Sequence, residues 1–148
     1  MNPPKGQASG WRRSLKLGSL ILISLLFIAA GINHFVQPAF YLQIMPGYLP
    51  WPLGLVYVSG FFEVLGGIGV AVPWLRRAAD WGLIALLVAV LPANVQMLTH
   101  ADDFKAIPFW ALLARVPLQG LLILWVWWAA VNADETLHEG SRDAHQAA

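Results

Sequence analysis

Two residues of opposite charge lie inside long apolar stretches of this chain, and they are the first candidates for chemistry. Glu63 is embedded in the segment VSGFFEVLGG, and Arg115 is embedded in FWALLARVPLQG. A charged side chain costs about 2.5–3.5 kcal/mol at the centre of a bilayer, so such residues usually face each other or a polar cavity. We therefore predict that Glu63 and Arg115 form a buried ion pair.

The positions of the two residues along their stretches support this pairing. Glu63 follows Leu53 by ten residues, and Arg115 follows Pro108 by seven. At a helical rise of 1.5 Å per residue, the two lie roughly 15 Å and roughly 10 Å from the same side of the membrane. The difference of about 5 Å is within reach of an arginine side chain.

Further polar side chains lie at a similar height. Asn33 and His34 end the first apolar stretch, Asn94 lies near the end of the third, and Gln119 follows Arg115 by one helical turn. All four stretches thus place polar groups toward one side of the membrane and almost none toward the other. The pattern predicts a polar pocket near that side. The candidate ligand-binding residues are Asn33, His34, Glu63, Asn94, Arg115 and Gln119.

Each candidate also has a purely structural interpretation. An ion pair can serve only to fix the register of two helices, or a protonated Glu63 can simply donate a hydrogen bond. His34 is typical of a residue that caps a helix end, and Asn94 of one that satisfies backbone groups freed by a proline. His34 and His100 lie toward the same side, which leaves a bis-histidine haem as an alternative. No catalytic residue is assigned.

The composition excludes several classes of protein. Of 148 residues, 58% are hydrophobic and only 11% are charged, whereas soluble domains carry about 25% charged residues. A soluble single-domain enzyme is therefore excluded, and a net charge of +1 without a basic stripe argues against a nucleic-acid partner. The absence of cysteine excludes disulfide and thiolate chemistry. The residues predict no metal site, and no cofactor is visible in them.

Four apolar stretches are long enough to cross a bilayer as helices, which takes about 20 residues each. They cover residues 15–36, 53–73, 78–98 and 108–131. Continuous apolar runs, rather than alternating ones, favour helices over the strands of a barrel. The predicted fold class is an all-α integral membrane protein, a bundle of four transmembrane helices, and its first partner is the lipid bilayer.

The remaining segments complete the predicted organisation. Residues 1–14 form a cytoplasmic N-terminal segment, 15–131 the four-span membrane domain, and 132–148 a polar cytoplasmic tail. Between the first two spans, residues 37–52 (QPAFYLQIMPGYLPWP) contain four prolines among aromatic residues. Because proline interrupts helices, this segment is predicted to be a Pro/aromatic interfacial loop that lies over the bundle.

The distribution of Lys and Arg predicts the orientation. Seven of these residues lie on the side of the two chain ends, and only Lys105 lies on the other side. Because cytoplasmic loops carry the excess of positive charge, both termini are predicted to be cytoplasmic. The predicted location is a plasma membrane, namely a bacterial inner membrane that the chain crosses several times.

Several segments resemble, in order, those of the DoxX/DoxD-like family of small four-helix membrane proteins. They are GINHFVQPAFYLQIMPGYLP, SGFFEVLGGIGVAVP, RRAADWG and PANVQM. The resemblance covers about Gly31 to Met97 and includes His34, Glu63 and Asn94. It implies an accessory subunit of a quinone-linked membrane redox system, with other subunits of such a complex as partners.

Under that resemblance, the pocket would bind a quinone-like molecule. His34 and Arg115 would donate hydrogen bonds to a carbonyl oxygen, Asn94 would orient the ring, and Glu63 would set the local charge. The alternatives are a non-catalytic membrane scaffold or assembly factor, in which the polar cluster only confers specificity, and a small-solute transporter. Whether the chain is an enzyme, and whether it forms a homo-oligomer, stays open.

Overall fold

The computed structural model describes residues 5–105 and 107–131, and every regular element in these ranges is helical. A short 3₁₀ turn follows the fourth helix, and a π-helical turn extends the fifth. The elements are α1 (Lys5–Val36), α2 (Pro38–Gln43), α3 (Pro52–Ala71), α4 (Arg76–Thr99), the 3₁₀ turn (Ala101–Phe104), α5 (Phe109–Val126) and the π turn (Trp127–Val131).

Four helices are long and apolar enough to cross a membrane. They comprise Arg13–Val36, Pro52–Ala71, Arg76–Thr99 and Phe109–Ala129. The prediction of an all-helical fold with four such helices is confirmed. Continuous apolar sequence favours helices here because a helix satisfies its backbone hydrogen bonds within its own segment.

The first helix is longer than the apolar stretch that predicted it. It begins at Lys5, ten residues before the expected start of the first span at 15. The extra residues are polar and contain no proline, so nothing in them ends a helix, although they are too polar to mark a span. The polar tail predicted for 132–148 lies outside the described residues.

The long helices pack in chain order. α1 lies along α3, α3 packs against α4, and α4 packs against α5. The π turn also contacts α1 and α4 and thereby closes the bundle at one end. At the other end, called here the α2 end, the short helix α2 packs against α3 and α1. The first part of the Pro/aromatic segment is therefore helical and packs on the bundle.

Two glycines bring α1 and α3 close together. A Cβ atom on Gly31 would lie 2.6 Å from the carbonyl oxygen of Gly60, and a Cβ on Gly60 would lie 2.6 Å from Cβ of His34. Small residues at such contacts let helix backbones approach each other. The close approach fixes His34 of α1 directly against α3.

Two apolar clusters stabilise the ends of the bundle. The larger is built on residues such as Ile23, Val70 and Leu83, and the smaller, at the α2 end, on Ile44, Met97 and Leu112. Ile44 also lines the cavity described below. The cavity therefore adjoins the smaller cluster.

α3 begins in an unusual conformation. Trp51 precedes Pro52, the first residue of the helix, and has a φ of 53° in the left-handed region. Its indole ring lies over Gly54, where a Cβ atom would collide with the ring. A residue before proline is already restricted in conformation, so a short segment of the chain sets the direction in which α3 starts.

Candidate functional site

A cavity of about 590 Å³ lies at the α2 end of the bundle. This volume is in the range of small-molecule sites, about 300–1,000 Å³. Most of its wall is apolar and comes from α2, α3, α4 and the segment after α2. The polar lining residues are His34, Tyr41, Ser59, Glu63, Asn94 and Arg115.

The structure brings four of the six candidate residues to this cavity: His34, Glu63, Asn94 and Arg115. The other two lie behind it. Asn33 donates a hydrogen bond from Nδ2 to the hydroxyl oxygen of Tyr41 at 2.9 Å. Gln119 is buried and bonded to Asn94. These two residues therefore form hydrogen bonds to side chains that line the cavity, namely Tyr41 and Asn94.

His34 is held on several sides. Its Nδ1 lies 3.0 Å from the carbonyl oxygen of Val56 and 3.2 Å from Oγ of Ser59. The ring stacks on Tyr41 with centroids 3.7 Å apart. Because a carbonyl only accepts, Nδ1 carries a proton, and in the neutral ring Nε2 is then an acceptor. That acceptor is directed at Glu63.

Glu63 faces His34 from α3. Oε2 of Glu63 lies 3.6 Å from Nε2 of His34, the residue is 9% exposed, and Oε2 has no hydrogen-bond partner. An ionised carboxylate and the lone pair of a neutral imidazole would repel each other. At 3.6 Å the two atoms are in ion-pair contact but beyond hydrogen-bond distance, so the carboxylate of Glu63 accepts no hydrogen bond from a described residue.

The ion pair predicted between Glu63 and Arg115 is not what the structure shows, because Glu63 is paired with His34 instead. The residues of the two described ranges form no hydrogen bond or ion pair with Arg115, although Arg115 lines the same cavity. The reason is the order of packing: α1 lies directly along α3, whereas α5 packs mainly on α4. The position of Glu63 along its helix predicts its depth in the bundle, but it does not predict which side chain lies beside it.

Asn94 and Gln119 link α4 to α5. Nδ2 of Asn94 donates to Oε1 of Gln119 at 2.8 Å, and Nε2 of Gln119 donates to the carbonyl oxygen of Leu87. Leu87 lies just before the turn that Pro92 disturbs, since proline lacks an N–H and its ring crowds the preceding carbonyl. Nδ2 of Asn94 thus bonds Gln119 and not a backbone group, whereas Gln119 has both ends of its amide engaged by protein groups.

Sequence reasoning missed Tyr41 as a lining residue. The sequence predicts only an interfacial loop over the bundle for its segment. In the structure, α2 places the ring of Tyr41 against His34 and its hydroxyl against Asn33. The available signal was the apolar and aromatic run PAFYLQ directly after the candidate histidine.

Two charged residues at the opposite end of the bundle were also missed. Arg76 and Asp80 lie one turn apart at the start of α4 and are 5% and 0% exposed. Nε of Arg76 donates to the carbonyl oxygen of Val70 at 3.0 Å. The expectation that polar groups avoid this end is therefore wrong. Both residues lie at the start of a helix, where an apolar stretch begins. Hydropathy at such a position does not distinguish a buried charged residue from an exposed one.

No group of three or more His, Asp or Glu residues within the described ranges is arranged to hold a metal ion. His34 and Glu63 alone supply two such side chains.

Comparisons with known proteins give one family and one partial relative. Residues 23–130 match the family described as a domain of unknown function (DUF8561). Over 73 residues the chain is 32% identical to the pH-response regulator protein palI/RIM9 of Candida glabrata. That match covers 49% of this chain and 29% of the relative, so the chain spans less than a third of the relative's length. No solved structure matches.

These comparisons correct the resemblance to the DoxX/DoxD-like family, which is wrong: the family that matches is a different one, and the relative found is a pH-response regulator. The two longest segments behind the resemblance are largely apolar, contain glycine and end in proline. Such features follow from helix packing in a membrane and are not specific to one family. The redox-accessory role depended on that resemblance and is withdrawn with it.

Proposed function

The chain belongs to the family described as a domain of unknown function (DUF8561), and we propose that it is a four-span membrane protein that binds a small amphipathic molecule in the cavity at the α2 end. The observation that carries this proposal is the carboxylate of Glu63, which lines the cavity and accepts no hydrogen bond from a described residue. A buried carboxylate oxygen without a donor costs free energy. A ligand that donates a hydrogen bond removes that cost.

The other groups of the cavity define the ligand further. Arg115 offers guanidinium donors that no described residue engages, so the ligand head also has to accept a hydrogen bond. The apolar walls suit a hydrocarbon body. A head with both a donor and an acceptor on an apolar body meets these requirements.

The long helices support insertion into a bilayer. We propose that both chain ends lie in the cytoplasm, because seven of nine Lys and Arg residues lie on that side of the predicted spans. A bacterial inner membrane stays a prediction.

The direct test is to identify what the purified protein carries. The protein is extracted with a membrane-solubilising polymer, without detergent, and its bound small molecules are identified by mass spectrometry. We expect a species enriched over the bulk lipid that falls about tenfold or more in Glu63→Gln and Arg115→Gln, since a hydrogen bond to a charged group contributes about 1.5–3 kcal/mol.

The matched control is Arg77→Gln, an exposed arginine at the opposite end of the bundle, which should leave the bound species unchanged. Identical extracts from all four proteins, with no species above the bulk lipid, would contradict the proposal. They would leave the scaffold interpretation instead.

A second candidate function is a response to pH, and the observation that favours it is the 3.6 Å contact between Nε2 of His34 and Oε2 of Glu63. Histidine changes charge in the physiological range, and the relative found is a pH-response regulator. The charged and titratable groups around the pair are Tyr41 of α2 and Arg115 of α5.

For this candidate we expect the melting temperature in detergent to change between about pH 5 and 8, and His34→Gln to remove that change. His100→Gln, at an exposed histidine, is the control and should keep it. A profile that is the same in wild type and His34→Gln would reject a pH response through this pair.

A further inference from the structure

A second hollow, called here the α3–α4 groove, runs along the contact of these two helices and has a volume of about 620 Å³. Its wall is almost wholly apolar, and small residues form its floor. The small residues that line it are Gly66, Gly69, Ala78, Ala79, Gly82, Ala85 and Ala89. From Ala78 to Ala89 the groove follows α4 for about 16 Å, at 1.5 Å per residue.

The groove and the cavity at the α2 end adjoin each other. Leu86 and Ala89 of α4 line both. A molecule whose polar head lies near Glu63 and Arg115 can therefore continue past these two residues into the groove. The polar groups lie at one end of this path, and the rest of the path is hydrocarbon-like.

The residues that the structure describes leave the groove open. A Cβ atom built on Gly82 would meet no atom within 4 Å, whereas a Cβ on Gly66 would collide with the side chain of Leu83. Glycine is thus required by packing at Gly66 but not at Gly82. No described residue fills the space beside Gly82.

The carboxylate of Glu63, which lines the cavity and accepts no hydrogen bond from a described residue, points to the occupant. It needs a donor, Arg115 needs an acceptor, and a hydroxyl group supplies both. We infer that the cavity and the α3–α4 groove form one binding site for a single-chain lipid with a hydroxyl-bearing head, the head between Glu63 and Arg115 and the chain in the groove. This inference rests on the proposed function and names its ligand class.

The test uses a monoacylglycerol that carries a photoactivatable diazirine at the end of its chain. The full-length protein is reconstituted in lipid nanodiscs, the probe is activated by light, and the modified residues are mapped by mass spectrometry. In the wild type we expect labelling concentrated on residues at the far end of the groove, such as Leu75 and Ala78, and we expect an excess of unlabelled monoolein to suppress it.

Gly82→Leu fills the groove without a packing conflict and should reduce groove labelling at least fivefold. Gly120→Leu is the matched control, because a Cβ there also meets no atom within 4 Å and Gly120 lines neither hollow. Both changes raise helix propensity equally. If Gly82→Leu does not fold, Ala85→Leu blocks the same groove and replaces it.

Failure of the inference and failure of the proposed function give different results. Labelling spread evenly over all lipid-facing helices, unchanged labelling in Gly82→Leu, or a groove found covered by a second copy of the chain would overturn the inference. The cavity would then still bind its ligand if Glu63→Gln and Arg115→Gln deplete the co-purified species. Groove labelling that ignores both of these head-group variants would overturn the inference and also count against the proposed function.

Discussion

At the scale of single residues, the polar side chains near the cavity fall into two groups. Asn33 and Gln119 direct their hydrogen bonds to other protein groups. Glu63 and Arg115 keep hydrogen-bonding capacity that the described residues do not use. The first group stabilises the bundle and the second is available to a ligand, although hydropathy and spacing place all four residues in one class.

This division gives a prediction for Gln119→Leu. The change leaves Asn94 without its acceptor and the carbonyl oxygen of Leu87 without its side-chain donor. We expect the free energy of unfolding to fall by about 0.6–1.7 kcal/mol, the range for interhelical hydrogen bonds in membranes. Denaturant titration in detergent measures it, with the exposed Gln37→Leu as a neutral control. Equal losses in both variants would mean that the Asn94–Gln119 link contributes nothing.

At the scale of elements, the sequence predicts the helices well and their neighbours poorly. Runs of about 20 apolar residues are enough to identify four long helices. Which helix faces meet depends on small residues, and stripes of glycine occur on several faces. The sequence therefore predicts Glu63 beside Arg115, whereas the close contact at Gly31 and Gly60 places it beside His34. The short helix α2 is stabilised by contacts with α1 and α3 that exist only in the folded bundle. The local sequence therefore does not predict it.

The close contact of α1 with α3 predicts that replacing glycine by alanine changes the stability in opposite directions at two positions. Gly60→Ala places a Cβ 2.6 Å from Cβ of His34, and overpacking of this kind costs about 1–3 kcal/mol. Gly18→Ala meets no atom within 4 Å and should stabilise its helix by up to about 1 kcal/mol. Melting temperatures of the two variants in the same detergent decide it. A Gly60→Ala protein that is as stable as the wild type would contradict the close approach.

At the scale of the whole molecule, the proposed topology puts the α2 end outside the cell and the Arg76–Asp80 end toward the cytoplasm. The cavity would then face the outer half of the membrane, and the groove would extend from it toward the inner half. A ligand would enter sideways from the bilayer, since the groove is lined by apolar residues along its length.

The natural chain contains no cysteine, which makes this topology simple to test. Single cysteines are introduced as Lys105→Cys and Arg77→Cys, both at exposed positions. In intact cells we expect a membrane-impermeant maleimide to label only Lys105→Cys, because positive charge marks the cytoplasmic side. Both variants should react after the membrane is opened. Labelling of Arg77→Cys alone would invert the proposed orientation.

The start of α3 links two positions that are three residues apart. The left-handed backbone of Trp51 folds its indole onto Gly54, so any side chain at position 54 must displace the ring, and a residue at 51 that prefers ordinary backbone angles must redirect the helix. A substitution at position 51 or 54 is therefore restricted as long as the residue at the other position is unchanged. Within the family, substitutions at 51 and 54 should therefore be found together, as a correlated pair, and α3 should lean differently wherever the pair is lost.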